Sequence, residues 1–191
     1  MTRKGFSKMS DSVSALGGAT FNGFAKVREI GPLGMISLRA KPGVAGLEAA
    51  IRGVTGTGVP GQRRIEVQGD CAAAWMSPDE YLLILPYDRT GAAMEGIGAA
   101  LAGQHHLAAV VSDARAVFRI EGDKADQVIR KLCPVDLDRL EPGEIRRTRA
   151  AQVAAAFWRQ GEGFTLVCFR SVAPYVMGLL THSAMVGSEL E

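Results

Sequence analysis

Cysteine is scarce in this 191-residue chain, and the three present, Cys71, Cys133 and Cys168, form an odd set with no C-x-x-C spacing. That pattern argues against a disulfide framework and against a cysteine-based zinc site. Each thiol lies in or beside an apolar run, which reads as buried, reduced and suited to a reducing cytoplasm. Charge of one sign is also lacking: 22 Lys and Arg against 20 Asp and Glu leave a formal net charge of +2. A dedicated nucleic-acid binder carries a concentrated basic excess, so that class is set aside. No apolar run nears the roughly 18 residues that span a bilayer. Arg3, Lys4 and Lys8 have no apolar stretch behind them, so no secretory signal is read either.

Catalytic signatures are missing too. There is no G-x-S-x-G, H-E-x-x-H, Walker loop or G-x-G-x-x-G, and without the last the chain holds no dinucleotide by itself. The glycines between Gly53 and Gly61 lack the G-x-x-x-x-G-K-[ST] pattern and read as a flexible loop. His105 and His106 are adjacent, so in a strand or loop they point apart and make a poor metal pair.

What the chain does have is a 47% hydrophobic content, ample for a core, and strong periodicity. Ala154 to Phe169 reads as a hairpin around the tip Arg159-Gln160-Gly161-Glu162-Gly163. Ala72 to Leu85 echoes it, turning at Ser77-Pro78-Asp79-Glu80. Trp75 and Trp158 stand 83 residues apart, each six before an aromatic residue, Tyr81 or Phe164. Strands are expected at 34–40, 64–68 and 116–120 from their alternation. Leu107 to Val111 is a continuous apolar run and reads as a central strand. Ala125, Val128, Ile129, Leu132 and Cys133 form an amphipathic stripe that Pro134 ends. Val172, Tyr175, Val176, Leu179 and Leu180 repeat the pattern behind Ser171 as cap and Pro174 in the first turn. A weaker helix is expected around Val44, Leu47 and Ile51, and another, capped by Asp88 or Thr90, runs to about Ala102.

The order of elements repeats. The expected fold is α+β: duplicated ferredoxin-like β-α-β units with antiparallel sheets, helices on one face of each. Residues 1–30 read as a flexible arm. Residues 31–191 read as a single unit of two pseudo-repeats, 31–112 and 113–185, with the end fraying from Ser183. Candidate contacts are few. Asp113 and Arg115 sit at the junction of the halves, one residue apart, and read either as a structural ion pair or as a ligand clamp. Arg146, Arg147 and Arg149 lead into the second hairpin, either solvated along a strand or facing an anion or acidic partner. Arg170 beside Ser171 at a helix start is a further anion candidate.

Several segments resemble one known family. They are Trp75 with Ser77-Pro78-Asp79-Glu80-Tyr81-Leu82-Leu83, Asp113-Ala114-Arg115-Ala116 with Gly122, Leu132-Cys133-Pro134-Val135-Asp136-Leu137, Arg147-Thr148, and Phe169-Arg170-Ser171-Val172-Ala173-Pro174-Tyr175. Together these are similar to the gamma subunit of heterotetrameric sarcosine oxidase, over roughly residues 30–185. The resemblance implies an accessory chain of a four-chain bacterial enzyme that oxidatively demethylates sarcosine to glycine. It implies no cofactor in this chain, with FAD, FMN, NAD and tetrahydrofolate expected elsewhere in the complex and zinc in the delta subunit. It implies alpha, beta and delta subunits as partners, chiefly alpha, and a fold related to the folate-binding domain of glycine-cleavage aminomethyltransferases. A stand-alone folate-binding aminomethyltransferase-like protein is the alternative. That family is longer and carries a Gly-Gly-x-x-Asp-Asp-Leu segment that this chain lacks. Apolar surface left for a partner would let the isolated chain self-associate.

The clean stripe through Ile129 generates a first prediction. Ile129→Ala should cost about 2–5 kcal/mol in denaturant unfolding. An unchanged midpoint would show that this helix does not pack on a sheet.

Overall fold

Period-two alternation and the hairpin turns do most of the building. The structure is a computed structural model and describes residues 12–191. In chain order the strands and helices are β1 (Thr20–Asn22), β2 (Lys26–Ile30), β3 (Gly34–Ala40), α1 (Leu47–Thr55), β4 (Ile65–Gln68), β5 (Cys71–Ser77), β6 (Glu80–Leu85), α2 (Thr90–Ala100), β7 (His106–Val110), β8 (Arg115–Glu121), α3 (Ala125–Leu132), β9 (Ile145–Ala150), β10 (Val153–Gln160), β11 (Gly163–Phe169) and α4 (Ala173–Ser183). One sheet has the order β4-β5-β6-β3-β7, and the other has the order β1-β2-β8-β11-β10-β9. Every pairing is antiparallel.

The two orders are the same plan. β3, β4, β5 and β6 correspond to β8, β9, β10 and β11, and α1 and α2 to α3 and α4. β7 closes the first unit beside β3; the matching place beside β8 is filled by β2. The second repeat is therefore completed by a strand from ahead of the first. This corrects the reading of residues 1–30 as a flexible arm. From residue 20 onward that segment is sheet, and Lys26 to Ile30 pair with Val117 to Glu121. Residues 1–11 lie outside the described residues.

The inner strands β3, β5, β6, β8, β10 and β11 show one face to helices and one to the other sheet. Ile36, Leu38, Tyr81, Leu83 and Ile97 form a core under α1 and α2. Phe118, Ile120, Val128, Ile129, Phe157, Phe164 and Val176 form its counterpart under α3 and α4. Ile129 is fully buried there, as its stripe requires. A third layer, with Met35, Ile65, Ala74, Leu82, Ile84, Val117, Ile145, Trp158 and Val167, lies between the sheets.

Several expectations need correction. Trp75 and Trp158 are not counterparts. A register irregularity between Trp75 and Ser77 inserts a residue into β5. The extra residue lies between Trp75 and the turn, so counted back from the turn Trp75 falls one position out of step with Trp158 and on the opposite face. Trp75 packs toward the helices of its unit, and Trp158 lies between the sheets. By register the counterpart of Trp158 is Ala74, since Ala74 pairs with Leu82 and Trp158 with Thr165. β7 is an edge strand rather than a central one, and Leu107 is 60% exposed. Ser171 does not cap α4, because it belongs to a 3-10 turn over Arg170–Val172 and α4 has no side-chain cap, only Pro174 in its first turn. Neither Asp88 nor Thr90 caps α2. The buried stripe of α4 is Ala173, Val176 and Leu180, one step round from the one expected, so Tyr175 is half exposed. The C-terminal residues are tied down: Lys131 Nζ donates to the carbonyl oxygens of Ser183 and Ser188, and Gln127 Oε1 accepts from Leu190 N at 2.8 Å.

The docking of β2 on β8 carries a pH signature. Arg28 Nε donates to Glu121 Oε2 at 3.0 Å. That hydrogen bond holds the Glu121 carboxyl below its usual range, against desolvation and with help from the charges of Arg28 and Arg119. A lowered folded value means the contribution is full above the unfolded value of about 4.3 and is lost as pH falls through the folded one. The Tm advantage of wild type over Glu121→Gln should therefore be present at neutral pH and close below about pH 4. An advantage that persists undiminished to about pH 3 would show that this pair does not fasten the strand.

Candidate functional site

The layer between the sheets has two ends, and register shows that they are equivalent places in the two units. At one end Arg115, Val117, Ile145, Arg147, Glu80, Leu82, Val167 and Phe169 occupy alternate positions of β8, β9, β6 and β11. Their apolar members belong to the layer, and the charged ones and Phe169 sit where it gives out. A cleft of about 60 Å³ opens there, lined by Met76, Glu80, Arg115, Arg147, Phe169 and the β10 alanines 154–156 among others. At the other end a groove of about 360 Å³ is lined by Leu33, Val67, Pro86, Ile84, Trp158 and their neighbours. Arg115 faces Phe169 across the ladder as the position of Leu33 faces that of Pro86; Arg147 pairs with Ala156 as Val67 pairs with Ala72. The fold thus makes the same opening twice, once with arginines and once with leucine and valine.

Within the charged cleft, Arg147 Nη1 lies 3.4 Å from Glu80 Oε2 and 3.4 Å from the Met76 carbonyl oxygen. Glu80 Oε1 accepts from Ser37 Oγ at 3.5 Å, a long contact. Arg115 has no carboxylate within 4.0 Å and no side-chain hydrogen bond among the described residues; its guanidinium lies over the Phe169 ring, 4.2 Å from the centroid. Burial pulls its pKa below the ordinary guanidinium value. Glu80 opposes that shift, and Arg147 reinforces it. It remains a cation at any physiological pH.

The structure brings Arg115 and Arg147 together and scatters the other candidates. Asp113 does not pair with Arg115. It lies in a 3-10 turn over Ser112–Ala114, not in the strand, so the same-face argument fails, and its carboxylate accepts from the Tyr87 hydroxyl at 3.2 Å. Arg170 donates to the carbonyl oxygens of Val13 and Ser14, at 2.8 and 3.1 Å. Two of its five N–H donors thus hold the chain's own backbone. Ser171 is exposed beside it. Arg146 turns to Glu144, Nε to Oε1 at 3.0 Å, at ion-pair distance but out of hydrogen-bond alignment. Burial pushes the Cys133 thiol up to about 12 and the Cys168 thiol up to about 11, so neither is a thiolate at neutral pH. Among the described residues no group of three or more His, Cys, Asp or Glu is placed to hold a metal, and no helix is long and apolar enough to cross a membrane.

Two residues escaped the sequence reading. Glu80 read as a wet turn residue, yet it shares a strand face with Leu82 and Ile84, and that alternation is the signal that would have aimed it at the other sheet. Glu29 is a buried carboxylate that accepts from Leu16 N at 2.9 Å, Gly18 N at 2.9 Å and Ser14 Oγ at 2.9 Å. Its place opposite Phe118 on β8 follows from a strand the sequence reading did not foresee.

Comparison with known proteins agrees with these shapes. Residues 39–184 match the family described as "Sarcosine oxidase, gamma subunit family". The sarcosine oxidase subunit gamma of an Arthrobacter species is 38% identical over 145 residues, 73% of this chain and 70% of that one. Among solved structures, a chain of the heterotetrameric sarcosine oxidase of Corynebacterium sp. U-96, in complex with pyrrole 2-carboxylate, superposes with a TM-score of 0.76 at 27% identity. The match covers 84% of this chain and 83% of that one. The glycine cleavage system aminomethyltransferase T of Bartonella henselae shares the fold, with a TM-score of 0.61 at 14% identity over 83% of this chain and 45% of that one.

The anchoring of residues 14–18 by Glu29 can be tested directly. Glu29→Ala removes the shared acceptor of the Leu16 and Gly18 amides and the Ser14 hydroxyl and should cost about 1–3 kcal/mol. Amide exchange at Leu16 and Gly18 should quicken at least tenfold. Unchanged exchange at both would mean that the carboxylate does not hold the segment.

Proposed function

The chain belongs to the sarcosine oxidase gamma subunit family, and on that premise we propose that it serves as the gamma subunit of a heterotetrameric sarcosine oxidase. In this reading it is an accessory chain of a cytoplasmic bacterial complex that oxidatively demethylates sarcosine to glycine. It docks rather than reacts, chiefly on the alpha subunit, with beta and delta completing the assembly. The observation that carries the reading is the match to a chain of the solved heterotetramer over most of both chains, together with the family match.

The geometry supports a docking role. The charged cleft holds about 60 Å³, far below the roughly 300 Å³ at which small-molecule sites begin. It does not fit a flavin or a dinucleotide, and the phosphate-cradling loop such groups need is missing from the sequence. In this reading FAD, FMN, NAD and tetrahydrofolate belong to other chains of the complex. The Gly-Gly-x-x-Asp-Asp-Leu segment of the aminomethyltransferases is lacking, which disfavours methyl transfer by this chain alone. Exposed apolar side chains at Leu107, Val110, Tyr175 and Val186 are surface that a partner would cover.

The test is co-expression. Tagged at one end and produced with the alpha, beta and delta chains, the protein should elute with a yellow flavoprotein in equal stoichiometry. Alone it should be colourless and inactive on sarcosine. Elution apart from the flavoprotein would defeat the reading, and tight tetrahydrofolate binding by the lone chain would favour the aminomethyltransferase-like alternative.

A further inference from the structure

We propose that the charged cleft is a socket for one acidic side chain of a partner subunit, gripped by Arg115 and Arg147. This deepens the docking role and rests on it. The first observation is the unpaired cation. A half-buried guanidinium is expected to find an anion or several acceptors, because taking charge out of water is costly. Arg115 finds neither among the described residues. A guanidinium stacked through its face on a ring keeps its in-plane N–H donors, and those donors match the planar fork of a carboxylate.

The second observation is the charge count. Arg115 and Arg147 contribute two positive charges and Glu80 one negative, so the cleft is left one carboxylate short of neutrality. The third is size: about 60 Å³ suits a carboxyl group or a few waters. Met76 and the half-exposed Phe169 give its methylenes an apolar rim. The fourth is the twin. At the equivalent places of the other unit stand Leu33 and Val67, and the same sheet-and-helix unit forms with them there. Nothing in the architecture therefore requires arginine at 115 and 147.

The experiment uses the full chain with its three partner subunits, and the variants Arg115→Met, Arg115→Lys and Asp11→Asn, Asp11 being the one acidic residue outside the described residues. For Arg115→Met the isolated chain should melt at or above the wild-type temperature, because an uncompensated charge has been removed. Its affinity for the other subunits should fall at least tenfold, and assembly should lose part of its sensitivity to salt between 50 and 500 mM. Arg115→Lys keeps the charge without the fork and should fall between. Equal assembly and equal salt response of Arg115→Met and wild type would overturn the socket and leave the subunit reading intact. So would a lower melting temperature of Arg115→Met alone, which would make Arg115 a structural residue. If Asp11→Asn reproduces the Arg115→Met stability change in the isolated chain, the carboxylate is the chain's own and the proposal fails. If formate stabilises the isolated wild type but not Arg115→Met while both assemble equally, the socket belongs to a free carboxylate, which also overturns it. Failure of wild type to assemble would remove the subunit reading and the socket together.

Discussion

Everything in this molecule depends on two sheets having to bury the faces they turn to each other. Each ferredoxin-like unit has helices for one face of its sheet and nothing for the other. The apolar layer of Met35, Ile65, Leu82, Ile84, Val117, Ile145, Trp158 and Val167 solves the problem for both at once. A backbone seam fixes the geometry. Ile65 N donates to Gly143 O and Ile145 N to Arg63 O, each at 2.9 Å, a reciprocal pair that joins the start of β4 to the start of β9. The residues that accept, Arg63 and Gly143, share a left-handed backbone with φ of 59° and 71°. Glycine takes that conformation freely, whereas arginine bears a cost of roughly 1 kcal/mol, which suggests that the seam matters more than local comfort.

The site follows from the same constraint. A layer between two twisted sheets is finite, and strands longer than the layer carry their alternation past its end. On β8 the sequence of one face runs Arg115, Val117; on β9 it runs Ile145, Arg147; on β6 it runs Glu80, Leu82, Ile84. In each case the apolar residues lie in the layer and the charged one lies just outside it. The cleft is what remains where three strands change from apolar to charged within two residues of each other.

This explains what the sequence could reveal. Alternation named β3 and β8, and the 3.6-residue stripe named α3, because those signals are local. The hairpins were legible from their turns. β2 was not: in Lys26-Val27-Arg28-Glu29-Ile30 three of five residues are charged, the buried position after Val27 is Glu29, and only the empty place beside β8 makes it a strand. β7 looked central because Leu107 to Val111 is uniformly apolar, yet position in a sheet is a property of the topology, not of the strand. The tryptophan spacing misled for a local reason, one residue inserted in β5, which a count along the chain cannot detect. Arg115 and Arg147 could be singled out in the sequence, but not joined, because they meet only when the sheets do. Asp113 was joined to Arg115 on the assumption of a shared strand, and the 3-10 turn at Ser112–Ala114 removes it.

The two ends of the layer show what duplication permits. Symmetry makes the openings at Arg115 and at Leu33 equivalent, so a requirement of the fold would act on both. What the two ends share is therefore structural: the ladder pairing, the apolar partners Val167 and Ile84, and the small residues Ala156 and Ala72 opposite them. What they do not share is free to answer to something else. At one end Trp158 and Leu33 make a roomy apolar groove; at the other, the counterpart of Trp158 is Ala74 and the rim is charged. The differences between the chain's halves lie at the rims, where another protein would meet them, and that is where a docking subunit needs its specificity.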